Sequence, residues 1–179
     1  SIDSLALYYN KDMFNAAGIS RPPETWAEVM DIIKKLTTLD QFGNITRSGI
    51  ALGTGANINR SPDILTALML QSGVDLESGG TQVRTSNFSD QSSINALEYY
   101  IQFSRIGSPA YTWNARQHYS IDSFYEGTAA MMINYSWQYE TLKQKNAKLN
   151  IGVAPLPQMS KDTPQNVANY WGYAVTKDK

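Results

Sequence analysis

Two tryptophans occupy positions that an amphipathic stripe does not explain. Trp137 follows the apolar run AAMMINYS, where a helix begins, and Trp171 precedes a glycine in NYWGYAV. A ring at such a junction can lie against the C–H face of a sugar, while nearby amides, guanidinium and backbone groups take the hydroxyls. Each ring taken alone also fits a cap on the core. The segment GTGANINRSPDILTALMLQSG offers a second element of this chemistry, a polar loop between a short strand and a helix, a frequent ligand-contact arrangement in α/β proteins. Catalytic chemistry is poorly served. Glu126 in FYEG has no second carboxylate in a comparable loop, as glycoside hydrolysis requires. His118 in ARQHYS has no identifiable partner and reads as a surface histidine. The chain carries no G-x-S-x-G, P-loop or dinucleotide fingerprint, and GTG at 53–55 has no lysine behind it. The reading is a binding protein without catalysis or cofactor.

Composition points the same way. Asn, Gln, Ser and Thr make up 53 of 179 residues, against 17% charged, and the net charge of −1 offers no bulk attraction to nucleic acid. Zero Cys and one His exclude disulfides, thiolate sites and multi-histidine metal sites. With 11 Tyr, 5 Phe and 4 Trp, the surface suits an uncharged polar ligand better than a phosphate or a metal. No run approaches the ~20 apolar residues of a membrane span, and the start lacks the basic region of a signal peptide.

The elements that must position these groups alternate between strand and helix, which argues α/β. Leu5–Tyr9 reads as a strand, and Asn10 caps a short helix ended by Gly18. Thr25 and Glu28 form a capping box ahead of a helix with Trp26, Val29, Met30, Ile33 and Leu36 on its inner face. Residues 40–49 suggest a small hairpin, and Ser48–Leu52 a buried strand. Ser61 is the expected N-cap of the next helix, with Pro62 at its first position. Residues 77–90 read as a loop, followed by a helix near Asp90 to Ile106 burying Ile94, Leu97, Tyr100 and Ile101. Ser120 caps a helix ending at Gly127, Ala129–Ile133 is a strand, and a helix spans about Ser136 to Asn146. NIGVAPLP and NYWGYAVTK complete the pattern as strands, and Trp113 is read as packing.

The strings LALYYNKDMFNAAGI, PPETWAEV, F-YEGTAAMMINYSW, NIGVAPLP and YWGYAV, in this order and separation, resemble family 1 extracellular solute-binding proteins of ABC importers, the maltose- and sugar-binding class. The resemblance implies a type II periplasmic-binding-protein-like lobe, a small mixed sheet flanked by helices. Residues 1–179 would be the second lobe of a two-lobed protein, with the first lobe and terminal helices absent. It further implies hinge closure on a carbohydrate and delivery to the transmembrane subunits of a bacterial permease. The expected location is extracytoplasmic, with a lipid anchor outside this chain compatible, and the expected state is a monomer. By position in the family pattern, the ligand-binding residues are Trp137, then Asn57, Asn59, Arg60 and Ser61, then Tyr170, Trp171 and Gly172. Tyr135-Ser136 departs from the glycine frequent before the first aromatic, and the 53–60 loop lacks the aromatic of maltose-type members. The alternatives are a binder of an amine or peptide, a glycosidase fragment, or a carbohydrate-binding module without a transport role.

Overall fold

The computed structural model describes residues 2–74 and 90–175. Its elements in chain order are β1 (Ile2–Asn10), α1 (Lys11–Ala16), α2 (Trp26–Leu36), β2 (Thr38–Leu39), β3 (Ile45–Arg47) and α3 (Ser61–Gln71). They continue as α4 (Gln91–Ile101), α5 (Ser120–Glu126), β4 (Met131–Tyr135), α6 (Gln138–Lys145), β5 (Ile151–Pro155) and β6 (Ala168–Tyr170).

The sheet is organised around β1. It pairs antiparallel with β4 (Leu5 opposite Tyr135), with β5 (Ala6 opposite Pro155) and, at its first residues, with β6 (Ser4 opposite Ala168). Parallel contacts flank it: Ser48 bridges Ala129, and Thr25 bridges Gln158. The 48–52 segment, expected as a strand, is not one: Gly49 N–H donates to the Thr112 hydroxyl and Ser48 Oγ to Ile50 O, so beside β4 it keeps only the Ser48 bridge and Ala51 N–H donating to Met131 O at 3.0 Å. These flanks supply the mixed character expected. The 40–49 hairpin is present as β2–β3, turned by Asp40, whose carboxylate accepts the Phe42 and Asn44 N–H groups.

The core lies between the sheet and the helices. Leu5, Leu7 and Tyr8 of β1 are buried, as are Trp26, Val29, Ile33 and Leu36 of α2, Ile64 and Leu68 of α3, and Phe103, Trp113 and Phe124. The 3.6-residue spacing on α2 thus marks a true inner face. The Thr25 hydroxyl caps α2 by accepting the Glu28 N–H. The reciprocal bond of the box lands one residue early, with Glu28 accepting from Glu24 N–H at 2.7 Å.

Four further expectations are corrected. α4 buries Ser93, Ala96 and Tyr100, whereas Ile94 and Leu97 are more than two-fifths exposed. The aromatic residues turn this helix: the Tyr100 hydroxyl donates to Thr54 O at 2.7 Å, and Tyr99 packs edge-on against Trp26 and Phe103. α4 also stops at Ile101, short of Ile106, and the chain continues in turns. Ser61 and Ser120 are first helical residues rather than caps, because tertiary partners use their hydroxyls. The last strand is only Ala168–Tyr170, and residues 171–175 are irregular. The loop expected at 77–90 lies, up to residue 89, outside the described residues.

Candidate functional site

The loop before α3 is built from the inside outward. Asn57 is its hub. Its carbonyl oxygen accepts from the Thr54 hydroxyl and from Trp113 Nε1 at 3.0 Å, and its Nδ2 donates to Asn114 O and Gln117 O, each at 3.0 Å. The amide is fully committed within the lobe, so Asn57 shapes the loop and presents no free group. Ser61 has its donor engaged, its hydroxyl donating to Gly55 O at 3.1 Å. Asn59 reaches further out. Its Nδ2 donates to the half-buried Tyr119 hydroxyl at 2.8 Å, its Oδ1 accepts from Asn134 Nδ2 at 3.0 Å, and its backbone N–H donates to Ser120 Oγ at 2.9 Å. The Ser120 hydroxyl therefore ties α5 to this loop instead of capping its own helix.

Arg60 takes the left-handed conformation, φ 65° and ψ 23°, as the N-cap of α3. Among the described residues it is the only non-glycine residue with positive φ. A side chain held there carries strain of order 1 kcal/mol that surrounding contacts must offset. Those contacts are two aromatic faces: the guanidinium carbon lies 5.3 Å from the Tyr135 ring centroid and 5.7 Å from that of Trp137.

Trp137 is 48% exposed. The reason is angular. α6 begins at Gln138 and buries Gln138 and Leu142 one turn apart, so the preceding residue is left on the rim of that face. The two buried side-chain nitrogens without a hydrogen-bond partner among the described residues, Arg60 Nε and Gln138 Nε2, belong to the residue stacked on this ring and the residue after it. Unpaired buried donors cost about 1–3 kcal/mol each and call for an explanation where they occur.

Tyr135 lies beneath Arg60, and sequence reasoning missed it. Burial pushes its phenol up to about 12, the Asp63 and Asp3 carboxylates adding to this and Arg60 opposing it. Asn134, fully buried and holding Asn59, was missed too. Alternation along MMINY is no guide, because all five residues are buried.

The third expected segment lies at the same end of the sheet. Tyr170 stands opposite Ile2 and Asn169 opposite Asp3, whose carboxylate accepts the Ser136 N–H at 3.1 Å. Tyr170 and Trp171 are 72% and 82% exposed, and no atom lies near a Cβ built on Gly172. The structure thus brings Arg60, Asn59 and Trp137 together directly, and places 170–172 beyond the strand end that holds the Trp137 turn. His118 does have a partner: ahead of α5, its Nδ1 lies 2.9 Å from Oε2 of Glu126, the last residue of that helix, in an exposed pair. Among the described residues, no three His, Asp or Glu side chains cluster as a metal site would require, and no helix is long and apolar enough to cross a membrane.

The chain thus carries an antiparallel strand hub flanked by helices, with an aromatic and a guanidinium stacked at one end of the sheet. The chain belongs to the bacterial extracellular solute-binding protein family, which it matches over residues 1–179. It is 28% identical over 169 residues to the sn-glycerol-3-phosphate-binding periplasmic protein UgpB of Shigella dysenteriae, covering 89% of this chain and 35% of UgpB. The chain thus spans about a third of the length of the curated relatives it matches. Its fold resembles that of an ABC transporter solute-binding protein from Thermotoga lettingae bound with α-D-tagatose (TM-score 0.73, 21% identity, 93% of this chain and 42% of that one). It also resembles the protein CpMnBP1 with mannobiose bound (TM-score 0.63, 28% identity, 88% and 39%).

Proposed function

We propose that this chain is the second lobe of a two-lobed binding protein that captures a sugar or oligosaccharide outside the cytoplasm and hands it to an ABC permease. The observation that carries the reading is the half-exposed Trp137 ring with the Arg60 guanidinium stacked beside it. The ring supplies a stacking face, and Arg60, Asn59 and the Tyr119 hydroxyl supply donors and acceptors around it. Trp171, Tyr170 and Gly172 would extend the same wall. The other wall comes from the first lobe, and closure of the two excludes water and traps the ligand. The family's established role in solute capture supports the transport setting and the extracytoplasmic location.

A phosphorylated polyol is the second reading, favoured by the ligand in UgpB's name. Against it stands the engagement of the Arg60 guanidinium with two aromatic faces, Tyr135 and Trp137. A neutral polyol needs no cation freed from them.

Calorimetry on the complete protein with D-tagatose, mannobiose, maltotriose and sn-glycerol 3-phosphate tests both readings. A sugar binds, and Trp137→Ala weakens it by about 1–3 kcal/mol, the scale of a hot-spot aromatic. Tight binding of sn-glycerol 3-phosphate with no sugar bound would overturn the sugar reading. Unchanged affinity on Trp137→Ala would overturn the site.

A further inference from the structure

We propose that Asp3 and Tyr8 are positioning residues for Trp137: from β1 they clamp the β4–α6 turn on opposite sides, so that the strand fixes the direction of the ring before any ligand arrives. The proposal rests on the reading of Trp137 as a stacking face.

The turn has little else to hold it. α6 has eight residues and buries only two of them, and Trp137, at its N-cap, makes no side-chain capping bond. Asp3 reaches the turn from another strand, one residue ahead of that N-cap. Its Oδ1 accepts the Ser136 N–H at 3.1 Å and the Ser4 N–H at 2.8 Å. Burial alone would raise the Asp3 carboxyl, yet hydrogen bonding to Ser136 and Ser4 holds it below its ordinary value. A carboxylate acceptor, at charge-assisted strength, is a stronger anchor than a neutral cap.

Tyr8 holds the other side. Its hydroxyl donates toward Tyr135 O at 2.8 Å and Ser136 O at 3.0 Å. The phenol is buried and packed edge-on against Phe124, with ring centroids 6.4 Å apart, so it cannot follow a shift of the turn. The N–H at 136 is thus tied to one β1 residue, and the carbonyls at 135 and 136 to another five positions on. Asp3 also stands opposite Asn169 of β6. One residue therefore links the Trp137 turn, through its carboxylate, to the strand leading to Tyr170 and Trp171, through its backbone pairing.

The test uses the complete protein carrying Asp3→Ala, Asp3→Asn or Tyr8→Phe, each with Trp137 present and in a Trp137→Ala background. Binding is read by calorimetry with whichever of D-tagatose, mannobiose or maltotriose binds tightest. Asp3→Ala weakens binding at least fivefold when Trp137 is present and less than twofold when it is absent, the signature of two residues acting as a unit. Asp3→Asn keeps an acceptor for the Ser136 N–H and recovers most of the affinity. Tyr8→Phe follows the Asp3→Ala pattern. A ligand-free readout stands beside these. Acrylamide quenching of the fluorescence that Trp137→Phe removes increases in Asp3→Ala, because the released ring samples more solvent. Equal losses in both backgrounds overturn the proposal, since a merely structural residue would act without Trp137. Unchanged affinity together with unchanged quenching in Asp3→Ala overturns it as well. Unchanged affinity on Trp137→Ala sinks the stacking reading itself, whereas a loss there without one in Asp3→Ala sinks only the clamp.

Discussion

Replacing Asn57 by Ala separates two roles that a loop asparagine can play. If its amide faced the ligand, the change would weaken binding and leave the fold alone. The structure assigns it the opposite behaviour. The carbonyl oxygen accepts from the indole of Trp113, which is fully buried, and truncation leaves that N–H with no partner. An orphaned buried donor costs about 1–3 kcal/mol. The two carbonyls served by Nδ2, Asn114 O and Gln117 O, belong to partly exposed residues and can turn to water, so they add little. The lost packing brings the expected total to about 2–4 kcal/mol. Urea unfolding of the complete protein reads this as a shift in midpoint at constant slope. In a Trp113→Phe background the indole N–H is already gone, and the same substitution costs about 1–2 kcal/mol less, the portion shared by the pair. A loss under about 0.5 kcal/mol, within the usual range for a surface change, combined with weakened sugar binding, would refute the reasoning. Asn57 would then be a ligand contact.

Gly53 opens the same loop with φ +107°, and an added Cβ would lie 2.8 Å from the backbone nitrogen of Ser104. Gly53→Ala therefore combines backbone strain with a clash against main chain and destabilises by at least about 2 kcal/mol, a midpoint shift that an unchanged urea curve would disprove. Glu28 gives a pH signature. The Arg21 guanidinium, helped by the Glu24 N–H, holds its carboxyl at about 2, below the ordinary 4.5. A depressed folded-state value stabilises the fold above the unfolded-state value and loses that contribution as pH falls from about 5 toward 2. Solvent around the pair keeps the slope shallow. Glu28→Gln flattens the acid limb of a stability–pH curve, and an identical limb in both proteins would contradict the assignment.

What the sequence disclosed follows the reach of each interaction. Asn10 and Thr25 act as the caps expected because their acceptors serve N–H groups two or three residues on, a distance that spacing reveals; Asp90 does the same for α4, where only the helix start was read. Ser61 and Ser120 have the same residue chemistry and fail as caps, because Gly55 O and the Asn59 N–H compete for their hydroxyls. The inner face of α2 was legible since Trp26, Val29, Ile33 and Leu36 are the large apolar residues of one stripe. That of α4 was not, because two tyrosines outweigh Ile94 and Leu97. The site divides in the same manner. Trp137 and Arg60 stand out as a ring at a junction and a cation in a polar loop. Tyr135 is hidden inside a wholly buried strand, and Asp3 acts on a turn 133 residues away. A carboxylate at the start of an apolar strand reads as a solvated end, and only the antiparallel register of β1 with β4 brings it to Ser136. The ring proposed as the stacking face is therefore visible from its neighbours in sequence, whereas Asp3 and Tyr8 come to its turn only through the pairing of strands. Substitutions that retune such a site are then to be sought along β1, at Asp3 and Tyr8, as well as in the loops that face the ligand.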